Sequence, residues 1–226
     1  MKTISILFTA ALISAATVSA TPVTLVNAGN PSNLLLGNIY VSPYTLTVYG
    51  QNYAAMCIDF ADESYVGTTW DANVTSVASN NFSATYHHAD ANVAQEYDEE
   101  AYLYSLITQP NISSQNRTDI QEAAWEITDS AYTATSDASG VQSYINQATT
   151  AYNNNFAGFN FSGYEIISSS GGRKQQEYLI ATPEPGSLTL LGAGLLIAGL
   201  FAARQHRKRF AKVVIPKVGL VRMAAR

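Results

Sequence analysis

Asp119-Ile120-Gln121-Glu122-Ala123-Ala124-Trp125-Glu126 decides how this chain folds, because it stands between two blocks of strand-like sequence. It reads as a helix over about 119–131 with Thr118 as its N-cap, and Gln121 and Trp125, four apart, then share one face. Before it, Val93, Tyr97, Ala101, Leu103, Tyr104 and Ile107 recur at steps of three and four. That period predicts an amphipathic helix over 91–108, ended by Pro110. After it, Val141, Tyr144, Ile145 and Ala148 predict a third helix over 138–152, entered from Asp137. Residues 22–60 are β-branched and aromatic between Gly, Asn and Pro, and predict strands at 24–26, 34–36, 40–41, 44–49 and 53–60. Strand character returns at 159–161 and 164–167, and Gly171-Gly172 turns the chain into 175–180. Strands, three helices and strands again give an α+β domain: a β-sandwich or barrel with an inserted three-helix subdomain. Residues 62–70 read as a loop or irregular edge pinned by Trp70.

Working outward from Gln121, the residue that gives it interest is Cys57, in Met56-Cys57-Ile58-Asp59-Phe60. It is the only cysteine among 226 residues, so it has no disulfide partner within the chain. A buried thiol beside a buried carboxamide can attack it, expel ammonia and close an internal thioester, which an amine or hydroxyl later opens. The plainer reading also fits: a lone buried cysteine behaves as a small hydrophobe. Gln121, three after Thr118, equally completes a capping box at the start of its helix.

The order Met56-Cys57-Ile58-Asp59, an acidic Tyr/Gly/Trp loop to Trp70, the helix Ala101-Tyr102-Leu103-Tyr104-Ser105-Leu106-Ile107, and then Ile120-Gln121-Glu122-Ala123-Ala124-Trp125-Glu126-Ile127 resembles the thioester domains of bacterial surface adhesins. The likeness covers roughly residues 50–150. It implies that Cys57 and Gln121 take the bond-forming positions, with Trp125 and Met56 as flanking residues. Met56 stands where the family favours an aromatic, and Ala124 where it favours Ile.

Both ends carry the marks of export. Residues 1–20, with Lys2, an apolar run from Ile4 to Ile13 and the exit Val18-Ser19-Ala20, read as a secretory signal peptide. Pro183-Glu184-Pro185 is followed by an uncharged apolar stretch from Ser187 to Ala203, about 26 Å if helical, and then by Arg204, Arg207, Lys208 and Arg209. That order resembles a PEP-CTERM sorting signal over 183–209. The resemblance implies an exosortase-type sorting enzyme as partner and a transient transmembrane helix whose basic end stays cytoplasmic. Residues 210–226 form a tail that such signals usually lack. The ectodomain is then 21–182.

All but one of the 17 acidic residues fall between 21 and 182, against only Arg117, Arg173 and Lys174, so the ectodomain is far more acidic than the whole chain's net charge of −5. Such a surface argues against nucleic acid and anionic lipid as partners. No Gly-rich phosphate loop and no Ser/His/Asp set stands out, and nothing calls for a cofactor or a catalytic role. His87-His88-Ala89-Asp90 reads as a solvated loop rather than a metal site, and Glu96, Asp98, Glu99 and Glu100 as the wet face of a helix. Asp59, Asp62 and Glu63 are acidic enough for calcium but lack EF-hand spacing. The expectation is a non-enzymatic surface protein that attaches covalently to an amine- or hydroxyl-bearing surface or polymer. Its rival is a matrix or envelope structural protein of the same fold with an unreacted thiol.

Overall fold

The computed structural model of the protein describes residues 20–29 and 39–182. The elements run β1 (Thr21–Asn27), β2 (Tyr44–Val48), β3 (Gln51–Cys57), β4 (Thr69–Ser76), α1 (Val93–Ile107), α2 (Ser114–Thr128), α3 (Ala138–Asn153), β5 (Tyr164–Ser169) and β6 (Tyr178–Ala181). The six strands close into an antiparallel barrel in the order β1-β2-β3-β6-β5-β4, so of the two expected β architectures the barrel is the one formed. The three helices are inserted between β4 and β5.

Side-chain alternation builds the barrel. Tyr44, Leu46 and Val48 of β2 and Val23 and Leu25 of β1 are buried, while the residues between them are not. Tyr49 and Gly50 join β2 to β3 with φ of 54° and 74°, the positive pair that a two-residue type I′ hairpin requires. At the end of β3 the alternation gives way, and Ala55, Met56 and Cys57 are all buried. The reason is that helices cover the outside of the barrel here. Ala55 and Cys57 join the interior cluster with Leu46, Tyr178 and Ile180, whereas Met56 joins the helix-side cluster with Ile120, Ala124 and Leu179. Met56 therefore faces away from Cys57's side of the strand and does not flank the thiol as expected.

Four further readings are corrected. α2 begins at Ser114, and its N-cap is Ser113, whose hydroxyl accepts from the Asn116 N–H at 3.1 Å; Thr118 lies a turn inside the helix and the capping box does not form. Thr69 and Trp70, read as the end of a loop, instead open β4, which runs on to Ser76 and pairs with both β1 and β5. Phe159 and Phe161 make no strand but stack with Phe156 and Tyr164 beneath the helices. Glu99 and Glu100, expected on a wet face, are buried, because α1 packs against α2, α3 and the barrel at once. Among the described residues no helix is long and apolar enough to cross a membrane. The apolar stretch 187–203, residues 1–19 of the leader expected over 1–20, and the strand expected at 34–36 lie outside them.

Candidate functional site

Cys57 closes β3, opposite Tyr178 of β6, and both residues are fully buried. Its Sγ donates to the Asp59 carbonyl at 3.1 Å. Burial pushes the thiol up to about 12, and the nearby acids Asp59 and Glu100 act in the same direction, with backbone hydrogen bonding at Asp59 opposing them. The thiol is therefore neutral at physiological pH, and any attack from it must shed its proton in the same step.

Above this strand end lies the first half of α2, and its Gln121 is also fully buried. The carboxamide is held from both sides. Nε2 donates to the Cys57 carbonyl at 2.6 Å, while Oε1 accepts from the Ser42 N–H at 3.2 Å and from the Ser42 hydroxyl. Ser42 Oγ in turn accepts from the Cys57 N–H at 3.3 Å. This network fixes which end of the amide is oxygen, since the reverse placement would set N–H groups against N–H groups. Cys57 and Gln121, 64 positions apart in sequence, are thus brought together. Ser42, which the sequence did not flag, joins them; a single serine before Pro43 carries no motif that could have found it.

One turn along α2, Trp125 inserts into the barrel cluster and is 1% exposed. Its ring meets Phe60 at 5.0 Å and Tyr132 at 5.4 Å, and those two meet at 4.5 Å, giving a three-ring wall. Trp125 and Phe60 also border an open cleft of about 460 Å³ with Tyr40, Tyr44, Tyr65 and the acids Asp62 and Glu63. The loop behind the cleft is clasped by Arg173, which bonds Asp59 and Asp62 at 3.0 Å each. Those acids, considered for calcium, already have a resident cation, and among the described residues no metal-binding group of His, Cys, Asp or Glu occurs. His87 is largely buried rather than solvated, with Nδ1 3.0 Å from Asp90.

Two buried carboxyls frame the site. Glu122, next to Gln121, accepts from the Tyr132 hydroxyl and from the N–H and hydroxyl groups of Thr135 and Ser136, and so ties down the α2–α3 connection. Glu100 of α1 is fully buried with neither carboxyl oxygen hydrogen-bonded. Burial first, then the nearby acids Glu99, Glu96 and Glu177, drive its pKa well above the usual range. Burial also raises Asp59 and Asp98 to about 6. A carboxyl whose folded pKa is raised stabilises the fold fully below its unfolded value, about 4.3 for Glu, and loses that contribution as pH climbs through the folded value. The protein is therefore expected to melt higher at pH 5 than at pH 8. Glu100→Gln should shrink that difference by about 1.4 kcal/mol for each pK unit of elevation it removes. Thermal melts of both proteins at the two pH values check this, and an unchanged difference would count against a neutral Glu100.

Residues 181–208 match the model of the PEP-CTERM protein-sorting motif. Pro183, Glu184, Pro185, Arg204 and Arg207 fall within that span, and Arg209 just past it. A motif of this kind marks an exported chain, directed to the cell surface, for processing by an exosortase. No curated protein matches the chain. Among solved structures, the N-terminal thioester domain of a surface protein from Clostridium perfringens is similar over 73% of this chain and 99% of that one, at 11% identity and a TM-score of 0.41.

Proposed function

We propose that the ectodomain, residues 21–182, is a single-use covalent clamp. Cys57 and Gln121 form an internal thioester through which this exported surface protein attaches to an amine- or hydroxyl-bearing target. The observation that carries the reading is the Gln121 carboxamide, dry and hydrogen-bonded directly onto the backbone of the lone cysteine. In bond formation Cys57 Sγ attacks Gln121 Cδ, the Cδ–Nε2 bond breaks, and the nitrogen leaves as ammonia with the thiol proton. In capture, a target amine or hydroxyl adds to the same carbon, leaving an amide or ester and a free thiol. The chain is consumed by one event, so it is not an enzyme. Burial of the site behind Trp125, Phe60 and Tyr132 would slow the competing hydrolysis.

Mass spectrometry of the full chain tests this. The protein should weigh one ammonia less than its sequence after allowance for processing, and methylamine should add covalently at Gln121. Full mass with a thiol that titrates only on unfolding would instead support a matrix or envelope structural protein.

The same reading assigns 1–20 as a removed leader, 183–209 as a sorting signal with a transient membrane helix over 187–203, and 210–226 as a tail lost with it. Surface-recovered protein should lack peptides from both ends. Recovery of peptides beyond Arg204 from the mature surface form would overturn the cleavage.

A further inference from the structure

Gln121 Oε1, rather than meeting one donor, meets two from a single residue, Ser42. We infer that Ser42 is the oxyanion-stabilising residue of this site, its N–H and hydroxyl holding the charge that develops on Gln121 Oε1. The inference rests on the thioester reading and adds to it the group that makes the amide electrophilic. An amide is a poor acceptor of a nucleophile because its carbonyl oxygen must take a full negative charge when the carbon becomes tetrahedral. Donors already aimed at that oxygen in a dry site lower the barrier without reorganisation. Ser42 is fully buried and meets this requirement: N–H to Oε1 at 3.2 Å, with the hydroxyl donating to the same atom. The direction of the hydroxyl proton is set, because Oγ accepts from the Cys57 N–H and has only its own hydrogen left to give. The chain Cys57 N–H to Ser42 O–H to Oε1 polarises along its length. On the other side, the Nε2 bond to the Cys57 carbonyl holds the future leaving group still.

The same donors serve twice. When Sγ adds to Cδ, the C=O electron pair moves onto Oε1 beneath the two Ser42 donors; it returns as the C–N bond breaks and ammonia departs. When an external amine adds to the thioester, charge returns to the same oxygen, and the C–S bond then breaks to regenerate the thiol with the amine's proton.

A serine that only satisfied a buried carbonyl would affect stability and not rate, so the test must separate the two. Ser42→Thr and Ser42→Val differ in hydroxyl and hardly at all in shape. Full-chain wild type and both variants are compared by thermal melt, by the fraction of protein one ammonia light, and by the rate of methylamine addition to that fraction. The expected result is that Ser42→Thr forms and opens the bond within a few-fold of wild type. Ser42→Val, which should melt below Ser42→Thr because it leaves the buried Cys57 N–H unpaired, is assayed at a temperature where both are folded and should do so about 10²–10³-fold more slowly, the usual loss for one such donor. Equal rates in the two variants would overturn the role of Ser42 while leaving the thioester intact. A wild type of full mass that takes up no methylamine would overturn the thioester reading and this role with it.

Discussion

Cys57→Ala yields a folded protein of full mass that takes up no amine. The prediction follows from the small structural and large chemical roles of one sulfur atom. Removing Sγ from the barrel cluster deletes a single buried heavy atom and one weak bond to the Asp59 carbonyl, costing about 1 kcal/mol. It leaves the Gln121 clasp untouched, because that clasp uses the Cys57 backbone and not its side chain. Chemically, the change removes the thiol that the proposed bond requires, so ammonia loss and methylamine addition should fall to background. Gln121→Ala is the harsher partner control. It strips the acceptor from the Ser42 N–H and hydroxyl and the donor from the Cys57 carbonyl, all buried, at about 1–3 kcal/mol for each group left unpaired. A Cys57→Ala protein that still loses ammonia or still takes up amine would rule out the bond.

Glu122→Ala should be among the most destabilising single changes, costing about 3–5 kcal/mol in urea or thermal unfolding, and it should also shorten the life of the bond. One carboxylate here answers five donors from Tyr132, Thr135 and Ser136; two of them are backbone N–H groups with no freedom to turn elsewhere. Burial alone would raise the Glu122 pKa, but these donors outweigh it and the group sits below its ordinary value. Its contribution is therefore present above the ordinary carboxylate pKa and lost as pH falls through the lowered one. Together with the raised acids this places maximum stability in a mildly acidic window. The link to chemistry runs through Tyr132, which Glu122 holds against Phe60 and Trp125. With that ring loosened, water would reach the acyl carbon of the proposed thioester and leave a carboxylate at position 121. The measurement is the fraction of bonded protein surviving over time. Glu122→Ala protein with wild-type stability would refute the assignment.

The helices were legible because their buried faces are apolar at helical spacing, as in Val93, Tyr97, Ala101 and Tyr104. The start of α2 was not, because Ser114, Gln115, Asn116 and Arg117 are polar throughout and give no period; the cap at Ser113 is visible only from its bond to Asn116. β4 was hidden by Asp71 and Asn73, which disfavour strands, and is held by pairing on both sides rather than by its own propensity. Cys57, Gln121 and Trp125 could be picked out from residue type and order. Ser42 could not, since its contact with Gln121 depends on a loop that passes beside α2. Nor could the burial of Glu99 and Glu100, which depends on what packs around α1 and not on α1 itself.

The closure of the barrel has a mechanical consequence. A tether attached beyond Thr182 pulls on Thr182, whose N–H is latched to the Gly163 carbonyl at 2.7 Å, and then on β6. Gly163 must be glycine for that latch: its φ is +85° and a Cβ would stand 2.4 Å from the Thr182 oxygen. β6 is laddered to β3 on one flank and to β5 on the other, so it has no free margin from which to be peeled. Extracting it requires both ladders to slip together. The strand that would bear the load is thus the immediate neighbour of the strand that carries the thiol, so on the proposed reading tension on a tether would be resisted next to the site that holds the target.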